Sequence, residues 1–118
     1  MIIKRLSWIL ILGTMTCTAF GAASAPCDRA CLKTTLNQYL TAMLAHKPSA
    51  APLSVGFRQT ENAVVRRTGT GLWETTLGLG EVQRRYYDPE TEQAGFFGLV
   101  EEPGGPAIAT LRLRVEDR

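Results

Sequence analysis

From Asp28 to about His46, apolar side chains fall at Leu32, Leu36, Tyr39, Leu40, Met43 and Leu44. That is the three-and-four spacing of one helical face, and it predicts an amphipathic helix lying on an apolar surface. Ser24 or Cys27 stands near its start, Asp28 places a carboxylate in its first turn, and Pro48 stops it just after His46. Pro48 and Pro52 then punctuate a loop or short helical turn. The stretch FRQTENAVVRRTGTG reads as one or two short extended pieces, with Ala63, Val64 and Val65 as a short buried run and Gly69-Thr70-Gly71 as a turn. In GLWETTLGLG, the glycines at 71, 78 and 80 argue against a long helix, and Gly78-x-Gly80 reads as another turn.

The last third is more regular. VQRRYY, AGFFGLVEE and AIATLRLRVE are separated by the turn-rich DPETEQ and PGGP, the signature of three strands in an antiparallel meander. In the third, Ala107, Ala109, Leu111, Leu113 and Val115 alternate with Ile108, Thr110, Arg112, Arg114 and Glu116. Such a strand buries one face and wets the other. A helix followed by a curled antiparallel sheet is an α+β arrangement in which the helix covers the apolar face. The final strand sits at the end of the sequence, so an open edge is expected there, available for a homodimer through the sheet or for a partner strand.

The first 25 residues change the charge balance. Lys4 and Arg5 precede an apolar run from Leu6 to about Leu12, and small residues follow toward Ala23, Ser24 and Ala25. This is the grammar of a secretory signal peptide. Gly13, Thr14, Thr16 and Thr18 dilute the run too much for a membrane anchor, so no stable membrane span is expected after cleavage. Ala23-Ser24-Ala25 fits a cut after Ala25, although Pro26 would follow it, and a cut after Ala23 is the alternative. Cys17 lacks the preceding aliphatic residue of a lipoprotein signal. The whole chain carries 13 Lys+Arg and 11 Asp+Glu, and without Lys4 and Arg5 the counts are 11 and 11. Residues 26–118 then form a single domain with no basic stripe, because Arg66-Arg67 and Arg84-Arg85 are offset by Glu61, Glu74, Glu81 and Asp88. Nucleic acid is not an expected partner, and a secreted or periplasmic location is.

Several motifs carry a resemblance. The amphipathic first helix, then HKPSAAPLSVGFRQTENAVVRRTGTGLW, then a meander of long strands, resembles the nuclear transport factor two-like (SnoaL-like) superfamily. More narrowly, CDRACL, TEN, GTGLW, LGLG, AGFFGLVEE and LRLRVED look like a secreted group without an established activity. The resemblance implies a cystatin-like cone in which helix and curved sheet enclose an apolar pocket. It also implies one further strand than this sequence supplies, as in a C-terminally truncated domain. The carboxylate base of the ketosteroid isomerase branch corresponds to the region of Val64, Val65 and Arg66, which has no acid, and the Asp-Arg-Asp set of the epoxide-hydrolase branch has no match.

The remaining chemistry is sparse. Cys27 and Cys31 survive cleavage, and an oxidising destination favours a disulfide, with free or partner-linked thiols as the alternative. Metal is disfavoured because His46, the only histidine, lies about 22 Å away at helical rise. Redox catalysis typically uses a two-residue spacing. His46 reads as a capping or exposed residue at the helix end. Tyr39, Glu61, Trp73, Tyr86 and Phe96 are the candidate lining of a pocket for a small apolar ligand, against ordinary core packing for the aromatics. No cofactor is implied. Three functions remain open: a small-molecule-binding domain without catalysis, an isomerase or cyclase using Glu61, Glu74, Asp88 or His46 for acid-base work, and an interaction module pairing through its edge strand.

Overall fold

A computed structural model describes Gly21 and residues 24–116, so nearly all of the expected leader lies outside the described residues. Helix α1 spans Arg29–Leu44. It starts one residue later than the periodicity suggests, because Asp28 has extended backbone and serves as the N-cap, accepting the Cys31 N–H at 2.8 Å. Its far end closes before Pro48 is reached. His46 adopts φ 53° and donates its backbone N–H to Met43, while Lys47 donates to Ala42. This paired closure normally recruits glycine at the left-handed position. A short 3₁₀ turn, Pro48–Ala50, follows.

Two three-residue strands, β1 (Gln59–Glu61) and β2 (Val64–Arg66), form an antiparallel hairpin. Asn62 and Ala63 both have positive φ, the turn geometry that matches strand twist in a two-residue connection. Val64 and Val65 are each 55% exposed, so the expected buried run is corrected. Among the described residues the hairpin pairs only with itself, and β2 is exposed along its length. Its anchor is Gln59, a buried side chain whose Nε2 donates to the Thr70 carbonyl at 3.0 Å and whose Oε1 accepts from Gly69 N–H at 3.3 Å. Residues 67–71 form the expected turn.

A one-turn helix, α2 (Leu72–Thr75), leads into β3 (Gly78–Asp88), which pairs antiparallel with β4 (Gln93–Glu102), itself paired with β5 (Gly105–Arg114). The meander is as expected, but β3 begins earlier: Gly78 and Gly80 lie within it rather than in a separate turn. Pairing of β3 with β4 shifts between Leu79 and Gln83, a bulge that brings the Val82 carbonyl to 2.4 Å from where a Cβ on Gly98 would stand. Only glycine fits beneath it.

Helix and sheet meet through Leu32, Leu36, Leu40 and Met43 on α1 and Ala94, Phe96 and Val100 on β4, all buried. Ala109 is buried beside them, and Ala107, Leu111, Leu113 and Val115 pack against the core while Ile108, Thr110, Arg112 and Arg114 are exposed. The alternation of the last strand therefore describes its two faces correctly. The architecture is α+β, with α1 on one face of a three-stranded antiparallel sheet. Fully burying each large aliphatic side chain contributes about 1.5 to 3 kcal/mol, so this contact is the main source of stability.

Candidate functional site

Three segments distant in sequence bound one apolar groove of about 330 Å³. Helix α1 contributes Tyr39, the loop after the 3₁₀ turn contributes Pro52, Leu53 and Phe57, and the end of the meander contributes Leu113 and Val115. Backbone bonds hold the loop wall and the end of the meander. Leu53 N–H donates to Ala51 at 2.8 Å, Phe57 N–H to Ser54 at 3.0 Å, and Val115 N–H to Glu92 at 2.9 Å. Arg114 and Glu116, ion-paired at 3.1 Å and largely exposed, also line the groove.

Besides Thr35, Ser54, Arg114 and Glu116, the polar lining includes the phenol of Tyr39. Its hydroxyl accepts the Trp73 indole N–H at 2.9 Å, and the two rings meet edge to face with centroids 5.0 Å apart. An indole N–H can only donate, so the phenol oxygen is the acceptor and its own proton remains a donor. Burial pushes the Tyr39 pKa up, the Trp73 hydrogen bond opposing it in part. The group is therefore a neutral phenol at physiological pH. Phe57 stands on its other side, with ring centroids 6.5 Å apart.

The five residues singled out in the sequence do not share this groove. Tyr39 lines it, and Trp73, 2% exposed, stands behind Tyr39. Phe96 is buried between sheet and helix. Glu61 lines a separate groove beside Met43, Gln59 and Leu72, its carboxylate accepting the Leu72 N–H at 3.4 Å. Tyr86 is 62% exposed on β3 and lines a third groove.

The candidate acid-base groups are likewise dispersed. His46 is exposed, and its Nδ1 lies 2.5 Å from the Trp73 carbonyl. A carbonyl only accepts, so Nδ1 carries the proton and the imidazole ties the end of α1 to α2. Glu74 is exposed, its carboxylate accepting the Gly71 N–H at 3.3 Å. Asp88 caps the turn after β3, accepting from Glu90 N–H at 3.1 Å and Thr91 Oγ1 at 2.5 Å. The Thr91 bond holds its carboxyl below the usual range.

Cys27 and Cys31 form a disulfide, and Cys27 is fully buried. The Glu92 carboxylate accepts the Cys27 N–H, which fastens the chain just before α1 to the β3–β4 turn. The loop closed by the bridge is short, and the chain-entropy model credits it with about 2 kcal/mol. Among the described residues no cluster of three His, Cys, Asp or Glu could hold a metal ion, and no helix is long and apolar enough to cross a membrane.

Phe57, Leu53, Leu113 and Val115 escaped the sequence-based selection of lining residues. For Leu113 and Val115 the signal was present in the alternation of the last strand. For Leu53 and Phe57 it was weaker: two large apolar residues in a loop, where solvent would otherwise meet them. Compared with protein-family models, with curated proteins and with solved structures, the chain matches none.

Proposed function

We propose that this chain is an exported domain of the nuclear transport factor two-like, SnoaL-like kind that binds a small apolar ligand without transforming it. The supporting observation is the groove of about 330 Å³ in which Tyr39, Leu53, Phe57, Leu113 and Val115 come together. Its size falls within the range of small-molecule sites, and a mainly apolar lining with a few polar groups is usual for them. Desolvation favours an apolar body, and the phenol proton favours a carbonyl or hydroxyl oxygen on it. The sheet with α1 on one face is compatible with a cone of the cystatin-like type. Export is supported by the disulfide, which persists in oxidising compartments.

A binding role fits better than the isomerase or cyclase reading. The ionisable groups lining the groove are Tyr39, Arg114 and Glu116, and the latter two neutralise each other. Glu61, Glu74, Asp88 and His46 are outside it and engaged with backbone or turn groups. An acid-base mechanism needs its proton-transfer group within hydrogen-bond reach of the substrate.

The test is a decanol titration followed through the Trp73 indole N–H resonance, which reports on the Tyr39 hydroxyl. A saturable shift that Phe57→Ala weakens supports the reading. An indole resonance unmoved at decanol saturation overturns it. A separate observation favours interaction through the sheet: among the described residues β5 pairs on one edge only. Sedimentation showing a monomer at every concentration would exclude the homodimer form of that role.

A further inference from the structure

The face of the sheet that α1 does not cover carries a self-matching pattern. On β4 the buried Ala94, Phe96 and Val100 share the helix side, so Gly95, Phe97, Leu99 and Glu101 belong to the outer side. Direct pairing arranges their neighbours in rows: Tyr86–Gly95–Arg112, then Arg84–Phe97–Thr110, then Leu99–Ile108. Gly80 stands alongside Leu99, since a Cβ on it would lie 2.7 Å from the Leu99 Cβ. Phe97 is 42% exposed, Tyr86 62% and Ile108 72%. Together they make an apolar patch of the kind that marks an interaction surface. Tyr86, Gly95 and Arg112 also line the groove at the β3–β4 turn.

A second copy of the chain is the occupant that this pattern fits. When two such faces meet about a two-fold axis running along β4, each row meets itself with β3 and β5 exchanged. Phe97 then meets Phe97 and Leu99 meets Leu99 at the axis. Arg112 comes over the partner's Tyr86 ring, Arg114 comes toward the partner's Asp88, and Ile108 lies over the partner's Gly80, where no side chain obstructs it. Arg112 has no ion-pair partner among the described residues, so its guanidinium is available to that ring. Glu101 would meet Glu101, a like-charge match left at the exposed end of the face, where solvent screens it. A two-fold axis across the strands would instead set Ile108 on Arg112 and Arg84 on Arg84, next to the centre and without a counter-charge.

We propose that the chain self-associates face to face through the outer surface of its sheet, about a two-fold axis along β4. Strands of ten residues in β4 and β5, at about 3.3 Å rise and about 4.8 Å spacing, give roughly 500 Å² of face per copy. The pair thus buries on the order of 1,000 Å², the lower limit of a specific interface, so the dimer is reversible rather than obligate. This places a sheet-mediated contact on the face and not on the β5 edge. Neither Phe97 nor Ile108 lines the apolar groove, so a monomeric protein would leave the ligand reading standing.

The test is sedimentation velocity of the exported protein over roughly two decades of concentration about the micromolar range. A reversible dimer is expected. Phe97→Lys and Ile108→Lys each weaken it about tenfold or more, as loss of a central contact should, while Arg85→Gln, on the opposite face, leaves it unchanged. The Trp73 indole resonance, unmoved in these variants, shows that the core is intact. A further arm mixes two variants. Tyr86→Lys sets like charges against Arg112, and Arg112→Glu removes the cation from the ring, so each alone dimerises weakly. Mixed in equal amounts they pair, because the new cation of one copy meets the new anion of the other. An edge-to-edge dimer through β5 would show no such restoration, since Tyr86 lies on β3. The proposal is overturned by a monomer at every concentration, by a dimer that Phe97→Lys and Ile108→Lys leave intact, or by mixed variants that stay monomeric.

Discussion

The two grooves differ in what stands behind them. The apolar groove is backed by buried side chains: Tyr39 is 5% exposed, hydrogen-bonded to Trp73, itself 2% exposed. The groove at the β3–β4 turn has an exposed strand surface, with Arg29 and Arg85 oriented by ring contacts and a single hydrogen bond. The first can hold a shape only while the core is intact. The second should tolerate substitution with little loss of stability, because exposed charges contribute little to folding. Recognition by desolvation thus depends on the fold's own packing, whereas recognition by charge sits on its surface.

The largest expected separation comes from Trp73→Ala. It removes a fully packed ring and the donor to Tyr39, so a loss of about 3 to 5 kcal/mol is expected in denaturant unfolding, with the apolar groove losing its ligand in whatever fraction remains folded. Undiminished decanol binding in the folded fraction would break the link between this groove and the core behind it. Replacing Cys27 and Cys31 together by serine should cost about 2 kcal/mol, measured as a lowered midpoint. Decanol affinity should change little, because neither cysteine lines the apolar groove.

Phe57→Ala trims a half-buried wall of the apolar groove, with an expected stability loss of about 1 to 2 kcal/mol and a weakened decanol titration. The smallest effect belongs to Tyr39→Phe, about 1 kcal/mol for one buried hydrogen bond, and it carries a pH signature. Because the folded pKa of Tyr39 is raised above the ordinary 10.0, the unfolded chain releases that proton first, so stability is full below pH 10 and falls as the pH rises above it. Thermal melts between pH 9 and 11 should show this decline in the native protein and a shallower one in Tyr39→Phe. Parallel slopes would contradict the burial assigned to this phenol.

How much of this was legible in the sequence depends on the range over which each feature is encoded. Helix α1 and the last strand were readable because their periods, 3.6 and 2, repeat over more than two turns or five alternations, and burial follows the same period. Val64 and Val65 misled because adjacent apolar residues say nothing about whether a hairpin lies on the core or beside it. Gly78 and Gly80 resembled a turn because the glycines that relieve a bulge are locally indistinguishable from those that reverse a chain. The disulfide was inferred from spacing and destination, and Cys27 and Cys31 are bonded. The grooves were not legible, since Tyr39, Phe57 and Leu113 are brought together only by the docking of α1, the loop and the end of β5.

The most direct measurement of the central claim is the Trp73 indole N–H resonance during a decanol titration of the exported protein. The account predicts a saturable shift, accompanied by the amides of Phe57 and Leu113, and in Trp73→Ala, where the indole reporter is gone, a Phe57 amide that no longer responds. Shifts confined to Val82, Phe97 and Ile108 on the exposed face of the sheet, with Trp73 and Phe57 unmoved, would contradict it.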